Sequence, residues 1–135
     1  MILMRTYKLR TNAEVFFCVN EKGQKNGLYV SFYSNGQLEI KCTYINGKKD
    51  GPYEEYFEDG RLLEKCVYQN DKPMYGEKAK EYRNNWEKTH HFEQMQQEFY
   101  HLLSKRKKTV SIGSVLKKAS RYLADIFRKE RARIR

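Results

Sequence analysis

Slid against itself by 24 residues, the chain matches itself, and a period of that length commits it to a stack of small, similar units. Gly27-Leu-Tyr29-Val-Ser-Phe32-Tyr33-Ser-Asn35-Gly36-Gln-Leu38 returns as Gly51-Pro-Tyr53-Glu-Glu-Tyr56-Phe57-Glu-Asp59-Gly60-Arg-Leu62. Cys42-Thr-Tyr44-Ile-Asn46-Gly47-Lys48 returns as Cys66-Val-Tyr68-Gln-Asn70-Asp71-Lys72 in the same register. Cys18 and Gly23 carry that register one unit upstream, so a partial copy precedes two fuller ones.

Each unit reads as two strands and two turns. Short aromatic and β-branched runs are bounded by Asn35-Gly36, Asn46-Gly47 and Asp59-Gly60, pairs that tolerate the backbone of a tight hairpin. The chain therefore reverses about every twelve residues. Between turns, Leu38, Ile40, Cys42 and Tyr44 alternate with Glu39, Lys41 and Thr43, the period-two pattern of a half-buried antiparallel strand. The expected sheet spans residues 13–72 within a repeat region of residues 1–74.

The 24-residue spacing also governs the cysteines at 18, 42 and 66. A zinc site needs ligands that converge, with close pairs, and none occur here. Equivalent positions in stacked hairpins line up along one face, where a thiol packs as a small hydrophobe. Three cysteines cannot all pair within one chain, which points to a reducing, cytoplasmic setting. The opening Met1-Ile2-Leu3-Met4-Arg5 lacks the continuing apolar core of a secretory signal.

A unit written as Gly-x-Tyr, two aromatics, Asn or Asp before Gly, then Leu and a closing Tyr-x-Asn-Gly-Lys resembles the MORN repeat. More narrowly it is similar to the bacterial and viral variant, some of whose members carry an antitoxin-like label. The resemblance covers residues 15–74; Asn12 stands where a turn glycine would fall, and Tyr75-Gly76 begins a further unit that loses the pattern. It implies an elongated antiparallel sheet of hairpins used as a scaffold or binding surface, without catalytic residues or a cofactor. Lipid binding is implied for some members.

From Gly76 the alternation stops. Ala79, Tyr82, Trp86, Phe92, Met95, Phe99 and Leu102 recur at spacings near three and four, and no Gly or Pro interrupts residues 77–112. This predicts an aromatic capping helix over residues 75–104, set against the open face or end of the sheet. His90, His91 and His101 fall within it, but adjacent helical histidines diverge by about 100 degrees and do not share a metal. His101 suits the negative end of the helix dipole. No metal site is expected.

Charge separates the two ends. Residues 1–100 carry 15 Lys or Arg against 15 Asp or Glu, while the last 35 hold 12 basic residues against Asp125 and Glu130. The expectation for residues 105–135 is a basic linker and a cationic amphipathic helix capped by Ser111 or Ser114. Ile112, Val115, Leu116, Ala119, Tyr122, Leu123, Ile126 and Phe127 form its apolar face. Lys105, Arg106, Lys107, Lys108, Lys117, Lys118, Arg121, Arg128, Lys129 and Arg131 are the candidates for contact with an anionic surface. Three readings stay open for this helix: packing on the domain, docking to an acidic partner or nucleic-acid backbone, and lying on an anionic membrane.

Enzymatic chemistry finds no support in the sequence. Glu54 and Glu55 alternate across a strand, Asp59 belongs to a turn, and the glycines sit in hairpins and open no phosphate-binding helix. The resulting expectation is an α+β protein that binds, with Tyr29, Tyr33, Tyr53, Tyr56 and Phe57 as partner-binding aromatics. A protein partner is expected, with no small-molecule substrate; attachment to membrane or nucleic acid by the basic helix is the alternative.

Overall fold

The structure, a computed structural model, describes residues 2–105. Seven strands follow one another in a single antiparallel sheet: β1 (Ile2–Tyr7), β2 (Glu14–Val19), β3 (Lys25–Phe32), β4 (Leu38–Ile45), β5 (Lys48–Tyr56), β6 (Leu62–Gln69) and β7 (Lys72–Met74). Each strand pairs only with its neighbours in sequence, as a run of hairpins must. The sheet extends past the expected 13–72 at both ends, through β1 before Ala13 and through Met74 at the end of β7. The α+β architecture agrees with the sequence.

Turn chemistry explains the reversals. Asn46 (φ 49°) and Gly47 (φ 86°) form a two-residue turn with both residues left-handed, as do Asn70 (φ 48°) and Asp71 (φ 68°) one period later. The intervening hairpins use three-residue loops, closed by Tyr33 N–H to Gln37 O and Phe57 N–H to Arg61 O, both 2.8 Å. Successive units are also tied at their turns by repeated bonds. Gly47 N–H donates to Lys25 O at 2.8 Å, and Asp71 N–H donates to Lys49 O at 2.9 Å.

The first unit departs from this pattern and corrects the expected alignment of the cysteines. Its β2–β3 turn is a three-residue loop, closed by Asn20 N–H to Gln24 O at 2.9 Å, where the later units use two residues. That extra residue slips β2 by one. Phe17 sits opposite Tyr29, in the place Cys42 occupies opposite Tyr53 one period on. A one-residue slip moves side chains to the other face. Cys18 accordingly joins the core under the helices, while Cys42 and Cys66 lie on the opposite face around Tyr53. All three thiols are buried and unpaired with each other, and burial pushes Cys42 up to about 12.

The predicted single capping helix is two, α1 (Gly76–Thr89) and α2 (Phe92–Ser104). The chain breaks at His91, which takes a left-handed conformation (φ 50°), while the His90 N–H closes α1 on Trp86 O at 3.0 Å. The His90 ring stacks on Trp86 with centroids 4.3 Å apart. His101 lies in the last turn of α2, as the dipole argument expects. Both helices pack on one face of the sheet, α1 over β5 and β6 and α2 over β3 and β1. Phe99, Tyr100 and Leu103 of α2 complete a core with Phe16, Leu28, Val30 and Phe32. The helices thus cover a face, and among the described residues neither edge of the sheet carries a further strand.

Candidate functional site

Among the described residues no helix lies on the second face, and here the repeat builds its most regular chemistry. Cross-strand register brings Phe17, Tyr29, Cys42, Tyr53 and Cys66 into one row running across β2 to β6. Tyr44 and Tyr68 flank the row, each directly opposite a glycine, Gly27 and Gly51 respectively. The rings touch in pairs: Tyr29 and Tyr44 have centroids 5.5 Å apart, and Tyr53 and Tyr68 are 5.0 Å apart. Such tilted pairs contribute on the order of 1 kcal/mol beyond the area they bury.

Each pair holds a lysine. Lys25 Nζ lies 5.3 Å from the Tyr44 centroid and 5.5 Å from that of Tyr29, with Phe17 at 5.4 Å as a third wall. Exactly one period later, Lys49 Nζ lies 5.2 Å from Tyr68 and 5.4 Å from Tyr53. The ammonium faces the negative ring surfaces while its stem covers apolar area. Burial pushes the Tyr29 hydroxyl up to about 12 and raises those of Tyr44 and Tyr53 as well, so all remain neutral phenols near neutral pH.

At the other end of this face stand carboxylates. Glu55 and Glu64 are directly opposite across β5 and β6, a like-charge pairing that costs stability unless partners offset it. Tyr53 donates to Glu55 at 2.8 Å and Tyr75 to Glu64 at 2.5 Å. Glu39 accepts from Lys8 at 2.6 Å and from Ser31 at 2.8 Å.

The five aromatics selected from the sequence do not share this face. Tyr29 and Tyr53 belong to it. Tyr56 packs against the core on the helix side, and Tyr33 donates its hydroxyl to Tyr56 O at 2.7 Å near the loops. Phe57 is exposed in the β5–β6 loop with the Arg61 guanidinium 4.9 Å from its ring. The residues missed are Phe17, Tyr44, Tyr68, Lys25 and Lys49. Reading the repeat two residues further upstream, from Lys25-Asn26-Gly27 and Lys49-Asp50-Gly51, exposes the lysine recurrence. Of the basic candidates, Lys105 is exposed after α2; Arg106, Lys107, Lys108, Lys117, Lys118, Arg121, Arg128, Lys129 and Arg131 lie outside the described residues, as do the expected final helix and its serine caps.

Residues 25–46 and 49–70 match the family described as MORN repeat variant. Both segments are similar to MORN repeats. The boundaries place each lysine, its glycine and both tyrosines inside one repeat. MORN repeats are in general non-catalytic and serve interaction with proteins or membranes. No curated protein and no solved structure matches the chain.

The helix-covered face has its own polar feature between sheet and helices. A cavity of about 180 Å³ is lined by Lys41, Thr43, Glu54, Arg83, Phe92 and Gln96. Lys41 Nζ donates to Gln96 Oε1 at 2.5 Å and lies 5.6 Å from the Phe92 centroid. Burial pushes its ammonium down to about 8, with Glu54 opposing that shift. Among the described residues no group of three His, Cys, Asp or Glu is arranged to hold a metal, and no helix is long and apolar enough to cross a membrane.

Proposed function

We propose that this chain is a non-catalytic MORN-repeat scaffold that binds a protein partner through the sheet face that α1 and α2 leave uncovered. The observation that carries this reading is the recurrence of a lysine between two tyrosines, once per repeat, on the face that α1 and α2 leave uncovered. Tyrosine offers area with few rotors and a neutral hydroxyl, the combination enriched in protein interfaces. Lys25 and Lys49 add positive charge beside it, and Glu55 and Glu64 add negative charge at the far end, so the face presents a polarity that fixes a partner's orientation.

A second reading rests on the charge of the last 35 residues. Their basic side chains attach the scaffold to an anionic surface, membrane or nucleic acid, and leave the sheet as support. Affinity capture with the full chain separates the two. The Tyr44→Ala/Tyr68→Ala variant is expected to lose a protein partner that survives a high-salt wash. A variant with the ten basic candidates changed to Gln is expected to keep it. If instead the tyrosine variant retains every bound species and the Gln variant loses them, the sheet is not the binding surface. Six cations on phosphates would make affinity fall with roughly the fifth power of salt concentration.

A further inference from the structure

The two edges of the sheet are built differently. β7 is three residues long and contains Lys72 and Pro73. Proline supplies no N–H to a further strand and lysine resists being covered, so this edge is blunted. β1 has neither device, runs for six residues, and pairs with β2 alone among the described residues. Among the described residues nothing pairs with the alternate N–H and C=O groups along its outer side, the groups that an added strand bonds.

Exposed apolar side chains gather on the same edge. Ile2 is 63% exposed, Met4 40% and Tyr7 45%, and Leu9 in the following turn is wholly exposed. The single charge of β1, Arg5, is turned back on its own chain, hydrogen-bonded to Tyr7 and 3.9 Å from the Glu14 carboxylate. Pairing with Phe17 places Met4, and by alternation Ile2 and Thr6, on the face away from α1 and α2; Leu3 packs toward those helices.

A strand added here must match that alternation, and β1 matches itself. In an antiparallel pair related by a two-fold axis, opposed residues must point to the same face, which leaves few registers. An axis through Arg5 sets Arg5 against the partner's Arg5. An axis through Met4 gives the longest overlap free of like-charge opposition: Ile2 faces the partner's Thr6, Leu3 the partner's Arg5, and Met4 the partner's Met4.

We propose that β1 is a self-pairing edge, and that two copies of this chain join β1 to β1, antiparallel about Met4, into one sheet of fourteen strands, two sets of seven. The junction buries Ile2 and Met4 of both copies and runs the two Phe17-to-Cys66 rows into one strip on a common face. Two repeat surfaces then face the same way, so a partner with two epitopes gains from both.

The test uses the full chain alone, so it stands apart from any result on partner binding. Sedimentation equilibrium over a range of concentrations is expected to show a dimer. Met4→Lys, at a partly exposed position, sets lysine against lysine and is expected to weaken dimerisation by more than roughly tenfold with an unchanged circular dichroism spectrum. Leu9→Lys, in the turn, is expected to leave it intact. Under a mild thiol oxidant, Met4→Cys is expected to form an interchain disulfide and Thr6→Cys to form none, because only residue 4 meets itself. A monomer at every concentration overturns the proposal. So does a dimer that Met4→Lys leaves unchanged, or equal cross-linking at positions 4 and 6.

Discussion

The two faces of this sheet are made from the same strands and solve different problems. Where α2 meets the sheet, packing is aliphatic and aromatic and tightly closed: Leu28, Val30, Tyr100 and Leu103 are 1% exposed or less. On the other face the side chains are tyrosines and lysines that shield one another, and Tyr29, Tyr44 and Tyr68 stay half-buried. Covering a face with a helix allows a dry core but demands shape. Leaving it open demands side chains stable both in water and against a partner, which a tyrosine braced by a lysine provides. The closed face is therefore the less tolerant of change.

The largest effect is expected where the closed face is tightest. A Cβ at Gly51 would lie 2.5 Å from both Trp86 Cε2 and Thr43 Oγ1, and its φ of +100° is strained for any L side chain. Gly51→Ala is expected to cost about 3 kcal/mol in urea unfolding, combining backbone strain with overpacking. A loss near zero would mean that α1 does not sit down on β5.

An intermediate effect belongs to Lys41. Its folded pKa is depressed to about 8 from 10.5, so between those values the unfolded chain holds more protons. Stability contributed through this group is therefore lowest below pH 8 and rises as pH climbs toward 10.5. Relative to Lys41→Met, the wild-type chain is expected to gain on the order of 2 kcal/mol across that window, read from unfolding at a series of pH values. Parallel curves for the two proteins would show that Lys41 is not buried as a charge. Above pH 10 the raised tyrosine pKa values reverse the slope, because the unfolded phenols ionise first.

The smallest effect is expected on the open face. Lys49→Ala removes a cation from two rings and is expected to cost about 1 kcal/mol. Lys25→Ala removes one from three rings and is expected to cost more. Equal costs would show that Phe17 does not contribute, and costs as large as that of Gly51→Ala would erase the distinction between the faces.

Sequence pattern carried the sheet well because its determinants are local. Alternation and turn pairs act over a few residues, and Asn46-Gly47 and Asp59-Gly60 mark reversals wherever they occur. The slip of β2 was not legible, since it follows from a loop one residue longer than its counterparts, closed between Asn20 and Gln24. The break at His91 was hidden for a similar reason. Neither Gly nor Pro marks it, and it depends on α1 and α2 finding separate seats on the sheet. For the candidate site, two of the five chosen aromatics fall on the open face. Tyr56 and Phe57 are neighbours in sequence and therefore diverge, and a bulge between Glu55 and Tyr56 shifts the register there.

Repeat arrays ordinarily gain and lose units freely, because each unit meets only its neighbours. The helix pair removes that freedom here. α1 stands on β5 and β6 while α2 reaches β1 and β3, so a single helical hairpin bridges almost the whole width of the sheet. One further pair of strands would widen the sheet by about 10 Å, half the ~20 Å length of the 13-residue α2. Leu103 would then fall short of its seat beside Phe16. The helices act as a caliper, and the number of strands beneath them is set by their length.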